Sequence, residues 1–204
     1  MMIWKVRHLI IGILLSFGLC LTSFNVASGE VPGSDIQGHW AESQITSWKS
    51  KGYMNGYQDG SFKPNHAITR AEFITLVNRS FGYTSATEVT FKDLAPTDWE
   101  YAEVQKAVLA GYIAGYEDMT IRTKNEISRQ EVAFVISRLL SLSPSEDAAK
   151  DYKDAKSIPT WSKGAIGAVA LKKIITGYED NTYQPLAAIT RAEAVVSLDR
   201  ALQP

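Results

Sequence analysis

Cysteine is almost missing from this chain: the single one in 204 residues, Cys20, falls inside an apolar stretch near the N-terminus. Without that stretch there is no disulfide and no thiol chemistry. Histidine is scarce as well, three in all, and none form a pair at metal-ligand spacing. A glycine-rich phosphate loop and the Asp/Asn alternation of an EF-hand are both absent, so neither a cofactor nor a metal site is expected. An excess of one charge is lacking too, with 21 basic against 22 acidic residues. Nothing in that balance suggests nucleic acid, which would call for a basic face. Beyond Phe24 no apolar run is long enough to span a membrane.

The N-terminal stretch itself is organised. Lys5 and Arg7 precede apolar residues from Leu9 to about Phe24, followed by the small residues Ala27, Ser28 and Gly29. This is the layout of a secretory signal peptide over residues 1–29, cleaved near 27–29. The alternative is an uncleaved anchor, for which the stretch is short and interrupted by Gly12, Ser16 and Gly18. Leu19 before Cys20 is too large for a lipoprotein signal. Losing Lys5 and Arg7 leaves 19 basic against 22 acidic residues and no expected membrane attachment.

What the remainder does have is repetition. Taking Trp40, Trp99 and Trp161 as origins, Gly-Tyr follows at Gly56-Tyr57, Gly115-Tyr116 and Gly177-Tyr178. An Asp comes two residues later, at Asp59, Asp118 and Asp180. Next is an apolar-hydroxyl-Arg-x-Glu stretch: Ile68 to Glu72, Ile127 to Glu131 and Ile189 to Glu193. Arg79, Arg138 and Arg200 close the three copies, and no copy has an insertion between its Trp and its closing Arg. The repeats span 35–81, 91–140 and 152–202, and together form one domain over 35–202. They are expected to use nearly the whole mature chain, leaving no passenger domain.

Each copy reads as helix, loop, helix. Ala41, Ile45 and Trp48, then Val104, Ala107 and Val108, then Ile166, Val169 and Ala170 recur at helical spacing. Gly52 and Gly111 stand where a left-handed glycine ends the helix; Lys173 replaces them in the third copy, so that end should be made differently. The second helix of each copy opens on a capping box: Thr69 with Glu72, Ser128 with Glu131, Thr190 with Glu193. Its apolar face is Phe73, Ile74, Val77 and Phe81 in copy one, with matching residues in the others. One helix pair cannot bury such a strip, so the copies must pack together. The expected fold is mainly α, a pseudo-threefold bundle. The polar connector Ser143 to Asp147 should lie on the surface.

Arg70, Arg129 and Arg191 need a further reason, because the helix dipole mildly disfavours a cation at the first helical position. Two readings stand. The guanidinium and free helix N–H groups form an anion site, or the Arg reaches back to a structural Asp or a carbonyl. Trp40, Trp99 and Trp161 read first as core staples and second as ligand platforms. The Gly-Tyr tyrosines read as packing residues, the three Asp as turn holders, and Arg79, Arg138 and Arg200 as members of structural salt bridges. His39 and His66 have no counterpart in the other copies, which argues against catalysis by either. Every notable residue is triplicated, and triplication suits linked weak binding sites rather than a single enzyme centre. The protein is therefore read as a non-enzyme.

His39-Trp40-Ala41, Gly56-Tyr57-Gln58-Asp59-Gly60-Ser61-Phe62 and Ile68-Thr69-Arg70-Ala71-Glu72, repeated three times in this order, resemble S-layer homology repeats. The resemblance implies a three-pronged pseudo-trimer with grooves between adjacent repeats. It implies an exported protein held non-covalently at a Gram-positive-type cell wall by a secondary wall polysaccharide carrying a pyruvate ketal. Arg70, Arg129 and Arg191 would then be central to binding. Trp40, Trp99, Trp161, Gly56, Gly115, Gly177, Asp59, Asp118 and Asp180 would form the grooves. Surface-layer proteins are possible partners. The rival readings are a self-assembling surface-layer subunit and an enzyme acting on the wall glycan. Copy two departs most, with Met119 for the turn glycine, Thr123 for proline, Ser128 for Thr and Gln130 for Ala, so the groove using Arg129 is expected to bind more weakly.

Overall fold

Two helices per repeat carry the chain: α1 (Glu42–Ser50) and α2 (Arg70–Phe81), α3 (Tyr101–Leu109) and α4 (Arg129–Leu139), α5 (Thr160–Leu171) and α6 (Arg191–Ala201). The structure is a computed structural model that describes residues 34–203. The expected signal peptide, with Cys20, lies outside the described residues. Among these there is no strand, only isolated antiparallel bridges. The core is built from the periodic positions of both helices, including Ile45, Trp48, Phe73, Ile74, Val132, Ile136, Ile166, Val195 and Leu198.

The helix order follows the repeats, but the helix pairs do not. α3 packs on α2, α5 packs on α4, and α1 packs on α6. The first helix of each repeat thus lies against the second helix of the repeat before it, and the last repeat is followed by the first. Trp48 Nε1 donates to Asp199 Oδ1 at 2.9 Å across the α1–α6 pair.

The reason lies at the starts of α2, α4 and α6. Three backbone bonds join the residues before their caps into a closed triangle. Ile68 N–H donates to Ile189 O (3.1 Å), Ile189 N–H to Ile127 O (3.0 Å) and Ile127 N–H to Ile68 O (3.1 Å). The first helical N–H groups then donate to the next repeat's loop: Arg70 to Asn125 O, Ala71 to Thr123 O, Arg129 to Ala187 O, Gln130 to Pro185 O, Arg191 to His66 O and Ala192 to Pro64 O. Donors that a helix cannot satisfy within itself are thereby satisfied between repeats. The capping boxes complete the starts. Thr69, Ser128 and Thr190 N–H each donate to the Glu three residues on at 2.9 Å. Thr69 and Thr190 accept from the Glu72 and Glu193 N–H groups, and the Thr69 and Ser128 hydroxyls donate to Glu72 Oε2 and Glu131 Oε2.

The three arginines cross in the same sense. Arg70 reaches Glu131 at 3.4 Å, Arg129 reaches Glu193 at 3.3 Å, and Arg191 reaches Glu72 at 3.0 Å. Each Glu therefore serves its own helix cap through one oxygen and a guanidinium from another repeat through the other. Each Arg also donates to a neighbouring carbonyl: Ala114, Thr176 or Asn55.

The turns are held by Asp35, Asp93 and Asp154, whose carboxylates accept two successive N–H groups, those of residues 62–63, 121–122 and 183–184. One expectation needs correction. Lys173 does not end α5 differently: it takes the same left-handed backbone (φ 56°) as Gly52 and Gly111, and Ile174 N–H returns to Val169 O. The connector at 143–147 lies on the surface as expected, with Ser145 half-buried and its backbone docked on α5. Ser145 N–H bonds Gly164 O at 2.9 Å, and Ser145 O lies where a Cβ on Gly167 would have to be. The paired glycines of α5 are what let the chain come so close.

Lys173 is exposed and strained, so Lys173→Gly should raise stability by roughly 0.5–1 kcal/mol in urea denaturation, the gain in left-handed backbone exceeding the added unfolded-state entropy. Burial would raise the Glu131 carboxyl, but hydrogen bonds from Ser128 and Tyr116 and the charge of Arg70 outweigh it and hold it below its ordinary 4.5. A depressed folded value contributes stability above 4.5 that is lost as pH falls through the folded value. Glu131→Gln should therefore cost roughly 1.5–3 kcal/mol at pH 7. It should also flatten the acid limb of a stability-versus-pH curve; an unchanged limb would place the acid sensitivity elsewhere.

Candidate functional site

Three equivalent grooves open beside the tyrosines, and each draws on all three repeats. The first is lined by Gly56, Tyr57, Glu72 and Arg79 of repeat one, with Trp99 of repeat two and Arg191 of repeat three. The second has Gly115, Tyr116, Glu131 and Arg138 with Trp161 and Arg70. The third has Gly177, Tyr178, Glu193 and Arg200 with Trp40 and Arg129. Their volumes are about 240, 170 and 330 Å³. Glu72, Leu76 and Arg79 recur on one face of α2, as do Glu131, Val135 and Arg138 on α4, so a single helix face presents cap, wall and closing cation.

The three Trp are not core staples. They are 61%, 65% and 51% exposed, because each stands at the mouth of a helix pair rather than within it. Trp48, which is fully buried, takes the core position. The tyrosines do more than pack. Tyr57, Tyr116 and Tyr178 each donate a hydroxyl to the capping Glu of their own repeat and lie over the incoming guanidinium. Burial pushes the Tyr178 phenol up to about 12, and raises Tyr57 and Tyr116 as well, so all three remain donors at neutral pH.

Gly56, Gly115 and Gly177 have a packing reason. A Cβ at Gly56 would stand 2.7 Å from Ser61 O, one at Gly177 2.8 Å from Thr182 O, and one at Gly115 would overlap the Phe91 ring. Asp59, Asp118 and Asp180 turn inward on their own loops, each accepting the N–H and hydroxyl of the residue two positions on. Hydrogen bonds from Thr120 and Arg122 hold Asp118 at about 2. Asp118 borders the second groove's open flank; Asp59 and Asp180 do not line the first and third grooves.

The helix N–H groups are not free to meet an anion, since the first two of each helix are committed to carbonyls of the next repeat. The guanidiniums of Arg70, Arg129 and Arg191 form the groove floors, and these residues are 7%, 3% and 3% exposed. Both readings of the sequence thus meet at one residue: the Arg does reach carbonyls, and it still lines a groove.

Arg79, Arg138 and Arg200 depart from expectation. None has a carboxylate within ion-pair distance among the described residues, and all three are exposed. Arg200 donates to Ile174 O, and Arg138 lies over Phe134. Each groove therefore has two guanidiniums against one carboxylate, leaving one positive charge. The signal for this was the fixed offset of the closing Arg, which the sequence assigned to salt bridges. Among the described residues no group of His, Cys, Asp or Glu is placed to hold a metal ion.

The S-layer homology domain model matches residues 34–74, 90–133 and 151–195, most of the described chain. The cellulosome-anchoring protein of Acetivibrio thermocellus is 30% identical over 160 residues, covering 74% of this chain and 35% of that protein. The exoglucanase XynX of Acetivibrio thermocellus is 29% identical over 174 residues, 83% of this chain and 16% of the enzyme. The surface-layer 125 kDa protein of Lysinibacillus sphaericus is 25% identical over 186 residues, 90% and 15% respectively. The chain spans a minor part of each of these relatives, in an anchoring protein, an enzyme and a surface-layer protein alike. With three tandem matches laid on three structurally equivalent units, the chain belongs to the S-layer homology domain family.

Proposed function

We propose that this domain holds its protein at the bacterial cell surface by binding an anionic wall polysaccharide, carrying a pyruvate ketal, in the inter-repeat grooves. The observation that carries this reading is an exposed arginine without a carboxylate partner beside an exposed tryptophan, three times over. A ketal carboxylate can be gripped by the closing Arg while the sugar ring lies against the Trp face. The crossing Arg70, Arg129 and Arg191 shape the floors and add a second donor at the carboxylate. Relatives that are named as an anchoring protein and a surface-layer protein share this domain, which supports a surface role. A binding role also accounts for its recurrence in an enzyme much longer than the match. Assembly into a surface layer is the second reading, favoured by the surface-layer relative, and light scattering with added calcium distinguishes it through large ordered particles.

Arg79→Gln, Arg138→Gln and Arg200→Gln combined should leave the melting temperature unchanged. They should weaken binding to purified wall polymer by about ten- to a hundredfold per groove, the worth of one charge-assisted hydrogen bond. Wild-type protein should likewise lose binding to polymer stripped of its pyruvyl groups. Undiminished retention of the triple variant on stripped polymer would end the anionic-ligand reading.

A further inference from the structure

The three grooves differ at one wall position on α2, α4 and α6, just past the matched segments. The matched segments stop at residues 74, 133 and 195, just before Thr75, Phe134 and Val196, which are equivalent positions on the groove walls. In the second groove the Phe134 ring meets Trp161 edge-on at 5.6 Å and underlies Arg138 at 5.7 Å. It lines both the groove and an adjoining depression. The groove is narrow, about 170 Å³; the depression, of about 1020 Å³, shares Arg70, Tyr116, Glu131 and Trp161 with it. That volume lies at the upper end of small-molecule clefts, which run roughly 300–1000 Å³.

The depression has its own chemistry. Leu186, 69% exposed, forms an apolar ledge beside Trp161, where the other repeats have Asn65 and Lys124. Arg122 lies over the Tyr116 ring at 3.9 Å and forms a 2.9 Å pair with Asp118. Carboxylates outnumber guanidiniums along this lining, so a second anionic group is disfavoured and a neutral hydroxylated one suits it. At the junction of groove and depression lies Arg70, the least committed of the crossing arginines. It is 93% buried, and its Nε has no hydrogen-bond partner, whereas Arg129 and Arg191 donate theirs to Tyr183 O and Phe62 O. Its guanidinium can settle toward a ligand without breaking the bond that its counterparts would have to give up.

Resting on the reading above, we propose that the second groove and its depression form an extended subsite. It takes the anionic sugar between Arg70 and Arg138 and the adjoining neutral sugars of the same strand on the Trp161–Leu186 ledge. The charge pattern fixes the direction of the strand. The groove recognises a stretch of polymer rather than a single residue, and it is the strongest of the three rather than the weakened one that the substitutions in copy two suggest.

The test is calorimetric titration of the full chain with pyruvylated wall-polymer fragments sorted by length, one sugar against three. Wild type should bind the longer fragment more tightly. Leu186→Asn, which installs the repeat-one residue at an exposed site, should leave melting and one-sugar affinity unchanged and weaken the three-sugar fragment about fivefold, the loss of one apolar contact. Equal weakening of both fragments, or of neither, overturns the extended subsite while wall binding stands. A length effect that the substitution does not reduce also overturns it, since that gain would come from bridging two grooves. If wild type binds neither fragment, the polysaccharide reading itself fails and takes this one with it.

Discussion

The unsatisfied donors at three helix starts dictate the architecture. A helix end presents N–H groups that its own backbone cannot serve, and burying them unpaired would cost about as much as a lost hydrogen bond each. Here the acceptors sit on the next repeat's loop, so no repeat can complete its second helix alone. The triangle of Ile68, Ile127 and Ile189 places the three starts around one axis, and the crossing arginines fasten the same junction from the side-chain level. Helix pairing across repeats follows from that, not from the strength of any one helix. The shortest helices have nine residues, below the length at which isolated helices are stable in water.

The same arrangement governs where charge is available. Arg70, Arg129 and Arg191 are largely spent on Glu131, Glu193 and Glu72 and on carbonyls, with a tyrosine ring above each. Fastening repeats and presenting a cation are therefore divided between two arginines nine residues apart on one helix. The buried one fixes geometry, and the exposed one is left without a carboxylate partner among the described residues. A groove built in this way has its floor set by the fold and its rim open to variation.

Much of this was legible in the chain. Fixed offsets gave three repeats, the apolar periodicity placed the helices, and hydroxyl-x-x-Glu located their starts. Two things were not legible, for a common reason. Sequence shows which groups a helix start leaves unsatisfied but not what satisfies them, so the N–H groups beside Arg70 read as vacant when Asn125 and Thr123 carbonyls occupy them. Likewise a tryptophan before a helix reads as a staple until the partner helix is known; α1 turns to α6, and Trp40 is left facing solvent beside Arg200. Lys173 misled more simply, because a left-handed cap tolerates a lysine at a cost that only coordinates reveal.

The pairing of α1 with α6 makes the body a ring with one seam that no described segment crosses. Connectors run from repeat one to two and from two to three, while the junction of three with one is held by contacts such as Trp48 with Asp199, between residues at opposite ends of the domain. Closing it carries the largest loop entropy in the fold, since its contacts join residues far apart in the chain. The third groove straddles it through Trp40 and the first through Arg191. The second, between Arg70 and Trp161, is assembled wholly from the two junctions that the chain itself spans. Opening of that seam would therefore loosen two grooves and spare one.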